Sequence, residues 1–468
     1  MIILLFLTPM IKPTMWAGPG EPITYKEWRL ANPSTYFTIG NVSTARAGPI
    51  VDIIVNATIY DSIIPDLQVL KGDIESSGYV VQIDTATFEN TIYGAIGLKN
   101  HLKSIDDLAG AILIGDLPVP WYQMFDEFYG LRQWYEEFPI DLFYMDLDGT
   151  WLDSLKYEGG YLVPGSDSIF DTHYGDCGPE IWVSRLTTST LGGEIQLIKD
   201  YIDKSHRYRT GQLLLPDSAL VYVDDDWEAW AVIWSNAVGL AYPNRTLVCH
   251  PETTNATDYR TRLKVGYEWN GVHAHSSPSL HAFRTSGGNT YFYASEIPSL
   301  DPDCSFYNLF ACSNARYVES GYMGGRYVFN TTYGVGGLGS TKTGSMLEFQ
   351  DFYRPLGQGE CLGDAFANWF DIWGEAWGDT SRSWFYGMTL LGDGSLTIKD
   401  TMIHVAEQVP VDLKPRILPS HIRHWSEVRD LGCYQIFDDC GRLHHDGPKV
   451  PGIYFLKREG RVYAVIKI

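Results

Sequence analysis

The chain is poor in basic residues and has no closely spaced cysteine pair, no internal repeat and, past its first residues, no long apolar run. Each absence excludes something. Lys and Arg number 35 against 57 Asp and Glu, a formal net charge of −22, which argues against a nucleic-acid partner. No two cysteines are spaced C-x-x-C, which removes the usual zinc ribbon or knuckle. The seven cysteines are Cys177, Cys249, Cys304, Cys312, Cys361, Cys433 and Cys440. An odd number leaves at least one thiol outside any intramolecular disulfide, and Cys433 with Cys440 could close a small loop near the end. Without a run of about twenty apolar residues, the mature chain has no transmembrane helix. Without a repeat, it is not a solenoid.

What is present is a long chain with ample core. It has 468 residues, of which 45% are hydrophobic and 14% aromatic, too rich for disorder and long enough for two or three domains. The acidic balance suits an exported protein in a calcium-rich setting. The opening stretch MIILLFLTPMIKPTMWAG is too short to span a bilayer and looks like the apolar region of a signal peptide, although the basic start of one is missing. Residues 1–20 are therefore read as a signal-like segment. From Val51 strands and helices alternate: VDIIVN, then a helix through IIPDLQVLKGDIESSGY, then VVQID, a helix in TIYGAIGLKNHLKSI, and the apolar strand AILIGD. That alternation predicts a mainly parallel sheet covered by helices. PEIWVSRL and SALVYVDDDW are further strands, CLGDAFANWFDIW a helix, and RYVFNTTYGVGGLGST a strand running into glycines. After the proline-bearing linker VPVDLKPRILPS only short strands follow. The division predicted is an α/β subdomain over 21–170, a second over 171–402, a linker over 403–420 and a small all-β module over 421–468.

Two apolar runs each end in reactive side chains. GVHAHSS carries His273 and His275, and FYNLFACSNARY carries Cys312. A thiolate attacks carbonyl carbon, and an imidazole beside it accepts the thiol proton and later protonates the leaving group. One strand–helix–strand crossover separates the two runs, as adjacent parallel strands require. A lone cysteine at a strand end is more often core packing; the histidines at the end of the neighbouring run make it a candidate nucleophile, and Glu180 opens the separate strand PEIWVSRL. Asp146, Asp148 and Asp153 surround Gly149 on a turn, a spacing that suits calcium, although the closing glutamate of an EF-hand loop is missing. Asp224 to Asp226, at a strand's carboxyl end, suit calcium or the rim of a cleft. Asp116 is read as a loop-capping carboxylate, and His281 as structural.

At this point the residues resemble a family. From about Ile53 to Ile398 the chain is similar to the gingipain-type (C25) cysteine peptidases, relatives of the caspases. AILIGDLPVP, DLFYMDLDG followed by PEIWVSRL, VHAHSS with LFACSNARY, and CLGDAF followed by LLGDGSL occur in the family's order and spacing. The resemblance implies two α/β/α subdomains with mainly parallel sheets, the second caspase-like. It implies a secreted cysteine endopeptidase acting on protein or peptide substrates, with Cys312 as nucleophile, His275 as general base and acid, His273 as the alternative base, and Glu180 as the carboxylate that orients the imidazole. It implies an oxyanion held by the backbone of Cys312 and Ser276, although the family usually has glycine where Ser276 stands. Met346 falls near the wall of a substrate pocket. No cofactor is required for the chemistry, and structural calcium is compatible with it. The final module, with its CGR turn and PGIYFLK strand, resembles the sorting domains of type IX secretion. That implies the outer-membrane secretion machinery as partner and an extracellular or cell-surface location. Three rivals stay open: an inactive, peptide-binding homologue; a metal hydrolase using His273, His275 and His281; and a surface protein without chemistry.

Overall fold

The computed structural model describes residues 16–33, 38–41, 48–128, 131–285, 287–376 and 384–398, and three strands in the C-terminal segment. The chain divides into two compact units, Met1–Thr401 and Met402–Ile468. Most of the signal-like segment, the linker and the cysteines Cys433 and Cys440 lie outside the described residues.

Eleven strands of the first unit form one sheet. In chain order they are β1 (Thr38–Asn41), β2 (Ile50–Asn56), β3 (Val80–Thr87), β4 (Leu108–Ile114), β5 (Trp182–Leu186), β6 (Ala219–Val223), β7 (Arg245–Val248), β8 (Tyr267–His273), β12 (Cys304–Phe310), β13 (Gly336–Ser340) and β14 (Met388–Gly392). A separate three-stranded sheet holds β9 (His275–Ser277), β10 (Leu280–Phe283) and β11 (Thr290–Tyr293). The large sheet runs β1-β3-β2-β4-β5-β14-β13-β12-β8-β6-β7. Pairing is parallel from β3 through β14 and from β13 through β7, and antiparallel where β14 meets β13. Two parallel halves are thus joined back to back, and β5 and β14 both belong to the first.

Sequence dictates this layering. β2, β5, β6, β8 and β12 are buried along their whole length, the pattern of strands covered on both faces. Asn56 caps the helix α1 (Ala57–Ser76) by accepting the Thr58 N–H at 2.8 Å. Ile59, Ile63, Leu67, Leu70 and Ile74 recur at helical spacing and are all buried. They pack with Ile198, Tyr201 and Ile202 of α3 (Glu194–Arg209) on one face. The opposite face is covered by α2 (Ile92–Lys103), α4 (Glu228–Val238) and α5 (Leu362–Ala376). RYVFN differs from expectation: Met323–Phe329 is a helix, and the strand starts only at Gly336. Tyr327, Val328 and Phe329 are buried there by tertiary packing, which overrides their strand preference. In the second unit, Gln435–Asp438, Gly452–Arg458 and Arg461–Lys467 form an antiparallel three-stranded sheet.

One polar trio interrupts the first half's core. His101 Nε2 lies 2.9 Å from Asp52 and 3.0 Å from Asp84, both fully buried. Burial alone drags the imidazole down, but the two aspartates outweigh it and hold it at about 9. Burial pushes Asp52 up to about 6. Because the folded value of His101 exceeds its ordinary 6.5, its stabilisation is complete below that pH and is lost as pH rises through about 9. His101→Gln should cost roughly 2 kcal/mol at pH 6, discounted because the ring is partly exposed. Urea unfolding should show that deficit shrinking by pH 9.5; a deficit that stays constant would separate His101 from the two carboxylates.

Candidate active site

The parallel register of three strands builds the site. In β8, His273 aligns with Val223 of β6 on one side and Phe310 of β12 on the other. The three segments therefore leave the sheet together, and just beyond its edge stand Asp224 to Trp227, His275 and Cys312. Such carboxyl ends are where open parallel sheets place their sites. Pairing continues past the strands. The Ala274 N–H donates to the Phe310 carbonyl at 3.1 Å, and the Asp224 N–H to the His273 carbonyl at 2.9 Å. The Ser276 hydroxyl donates to the Cys312 carbonyl at 2.5 Å, which ties the histidine segment to the cysteine turn.

The turn itself is held under strain. Ser313, directly after Cys312, has φ of +58°, a left-handed conformation that a residue with a Cβ adopts at a cost. It is pinned from the neighbouring chain, with the Ser313 N–H on the Lys342 carbonyl at 2.9 Å and the Ala315 N–H on the Ser340 carbonyl at 3.0 Å. Cys312 is half-buried at the head of this turn.

His275 and His273 have opposite surroundings. The His275 side chain is 19% exposed, and its Nε2 lies 2.6 Å from Asp226 Oδ2. Its ring packs 4.6 Å from the Trp227 ring. Asp226 is also paired with Arg284 at 3.0 Å. A carboxylate at Nε2 holds the tautomer with its proton there and leaves Nδ1 as the basic nitrogen. His273 is buried, stacked on Trp234 at 4.6 Å, with Nδ1 3.3 Å from the Tyr222 carbonyl. Burial drags it down to about 3, so it stays neutral and walled from solvent. His281 is also buried and lowered to about 3. Among the described residues, the clusters able to share a cation group His275 with Asp224 and Asp226, never with His273 or His281, which removes the three-histidine metal centre. Asp224 is pushed up to about 7 by burial, with Asp225 and Asp226 adding to it.

Three expectations are corrected. Glu180 is not the orienting carboxylate, because Asp226 is the acid bonded to His275. Glu180 instead accepts the Leu147 N–H at 2.5 Å. It opens β5, and four strand spacings of the sheet, roughly 19 Å, separate β5 from β8. Met346 is not a pocket wall: it is fully buried in the core and takes the Asn308 amide N–H on its sulfur at 3.4 Å. Asp153 does not join Asp146 and Asp148; its oxygens accept from the Ser166 hydroxyl and the Asp167 and Ser168 N–H groups, stapling a loop. Glu180 takes its place in that acidic cluster, with ligand atoms within 4.8 Å of one another. An all-oxygen set suits a hard cation. Asp146 already accepts from Gly149, Trp151 and His173, and burial lowers the nearby Lys99 to about 8 while the three carboxylates hold it up.

Asp226 was expected as a calcium ligand or part of a cleft rim and not as the partner of His275, and Arg284 was missed. The signal for Asp226 was the DDDW run at a strand's carboxyl end; Arg284, at the end of β10, left none. A cavity of about 1090 Å³, lined by Tyr25, Arg29, Trp134, Tyr135 and Tyr157, takes in none of Cys312, His273, His275, Asp226 and Glu180.

No protein-family model matches the sequence, and no curated protein does. Among solved structures the fold is shared with cysteine proteinases. The chain is similar to the Arg-specific cysteine proteinase gingipain R, with a TM-score of 0.51 and 13% identity, covering 89% of this chain and 91% of that one. A complex of the pro- and mature domains of Porphyromonas gingivalis RgpB gives a TM-score of 0.52 and 14% identity, covering 90% and 93%. At such identities the likeness is one of fold.

The orienting role is testable without turnover. Nitrogen NMR of His275 should show the Nε2–H tautomer in the parent chain and in Glu180→Gln, and a mixture of tautomers in Asp226→Ala. An unchanged tautomer in Asp226→Ala, with a change in Glu180→Gln, would restore Glu180.

Proposed function

We propose that the protein is a secreted cysteine endopeptidase. The observation that carries the reading is the convergence of Cys312, His275 and Asp226 beyond three adjacent parallel strands, with a strained residue following the cysteine. His275 Nδ1 takes the Cys312 thiol proton, and the thiolate adds to the scissile carbonyl carbon. The oxyanion is assigned to the backbone N–H groups of Cys312 and Ser276, whose segments the 2.5 Å bond joins. Collapse breaks the C–N bond as the imidazolium protonates the leaving amine. A water, deprotonated by the same imidazole, then hydrolyses the thioester and returns the thiol. Asp226 stabilises the imidazolium in both halves. The buried state of Met346 leaves side-chain preference without an assigned wall. An inactive peptide-binding homologue would share the fold but not the turnover.

Cys312→Ala should abolish peptide-bond hydrolysis, by roughly 10³-fold or more, while thermal unfolding stays near that of the parent. Turnover retained in that variant sinks the reading.

A structural calcium held by Asp146, Asp148 and Glu180 belongs to the same proposal. Saturating calcium should raise Tm and a chelator lower it, since a ligand of the folded state alone stabilises it. An unmoved Tm means that Lys99 neutralises the cluster unaided.

Delivery past an outer membrane is supported by the sequence pattern of the C-terminal module, which clusters as a compact unit of its own. Removing everything after Pro419 should leave peptidase activity in purified protein and stop surface delivery; continued export would make the module an ordinary accessory domain.

A further inference from the structure

The strand that begins at His275 has an outer edge, and that edge is occupied by a distant part of the same chain. β9 is the end strand of the sheet β9-β10-β11. On its outer side Trp16 pairs with Ser276 in parallel, and the Ala17 N–H donates to the Ser276 carbonyl at 3.0 Å. Gly18 follows with φ of +96°, and a Cβ there would come within 2.6 Å of the Leu280 side chain. Both features require glycine. The segment is then clamped further along. The Ile23 N–H donates to Glu319 at 2.7 Å, its carbonyl accepts from Arg316 at 2.7 Å, and the Tyr25 N–H donates to Glu137 at 2.8 Å. Arg316 is buried and lies in the chain just after Cys312. Residues 16–25 therefore run from the histidine strand to the segment that follows the cysteine turn.

An exposed strand edge presents unpaired main-chain groups and takes an extended chain in any sequence that fits its pockets. Here the edge starts at the proposed base and is tied by Ser276 to the proposed nucleophile. We propose that the outer edge of β9 is a docking edge for the main chain of an extended polypeptide, and that Trp16–Gly18, within the signal-like segment, occupy it in cis in the unprocessed chain and compete with substrate there. The competitive consequence rests on the peptidase reading; the docking edge does not. Among the described residues the cis contact at this edge consists of one main-chain bond and one glycine contact, few enough for a longer extended chain to displace it.

The test uses the full chain and a labelled peptide of the sequence from Trp16 to Glu21. Ala17→Pro removes the N–H donor, and Gly18→Val independently sets a side chain against Leu280. Neither replaces Cys312, His275, Asp226 or Ser276; Ala17→Pro takes away only the bond received by the Ser276 carbonyl. Fluorescence anisotropy should show the peptide binding either variant about tenfold or more tighter than the parent, the loss of one such contact. Peptide hydrolysis by the variants should be faster than by the parent, while iodoacetamide, too small to need the edge, alkylates Cys312 equally in all three. Equal peptide binding by parent and variants, or none by any, overturns the docking edge. Tighter binding without hydrolysis in any of the chains keeps the edge and overturns the peptidase reading instead.

Discussion

The structure depends on the register with which β8 lies between β6 and β12. Parallel strands that align His273 with Val223 and Phe310 must release their chains at one level. An acid bonded to an imidazole, and a cysteine turn tied to the imidazole's segment through Ser276, come from three loops at that level without any loop having to reach. Every strand in that set is buried along its length, so a slip of one residue would move apolar side chains to the wrong face as well as parting the three groups. The hydrophobic layers on both faces thus enforce the geometry of the site, and the strain at Ser313 is sustained because its neighbours are pinned to Lys342 and Ser340.

The antiparallel junction of β14 with β13 has a second consequence. It joins two parallel halves with opposed directions, so that the amino end of β5 and the carboxyl end of β8 lie along the same edge of the sheet. Glu180 and His275 therefore share an edge but not a neighbourhood. The first gathers with Asp146 and Asp148 beside Lys99, the second with Asp226, Trp227 and Arg284. Two acidic centres at one edge have separate work: one stiffens a loop, the other orients an imidazole.

Much of this was legible from residue order alone. Apolar runs, rich in Val and Ile in β2, β4 and β6 and in aromatic residues in β8 and β12, marked these strands, and the single crossover between VHAHSS and LFACSN marked neighbours. Which carboxylate faces the imidazole was not legible, because sequence order does not tell which strand lies beside which; β6 flanks β8, and β5 lies four strands away. His273 and His275 are two residues apart and would share a face of one continuous strand; the break at Ala274, between β8 and β9, separates them. The side that faces the core gave His273 to Trp234, and the residue past the strand's end gave His275 to solvent and Asp226. The resemblance put Met346 near a pocket wall, but tertiary packing buries it fully, in one apolar cluster with Phe310 and Phe349. RYVFN has strand-forming residues in a helix because its buried face is needed against α3 and β13.

The central claim is that Cys312 is activated by an imidazole that Asp226 orients. The rate of iodoacetamide alkylation of Cys312 as a function of pH, followed by mass spectrometry in the parent and in Asp226→Ala, tests it most directly. The account predicts rapid alkylation of the parent well below the ordinary thiol range near 8.5, with the profile moving toward that range in the variant. Identical profiles centred on the ordinary thiol value in both proteins would contradict it.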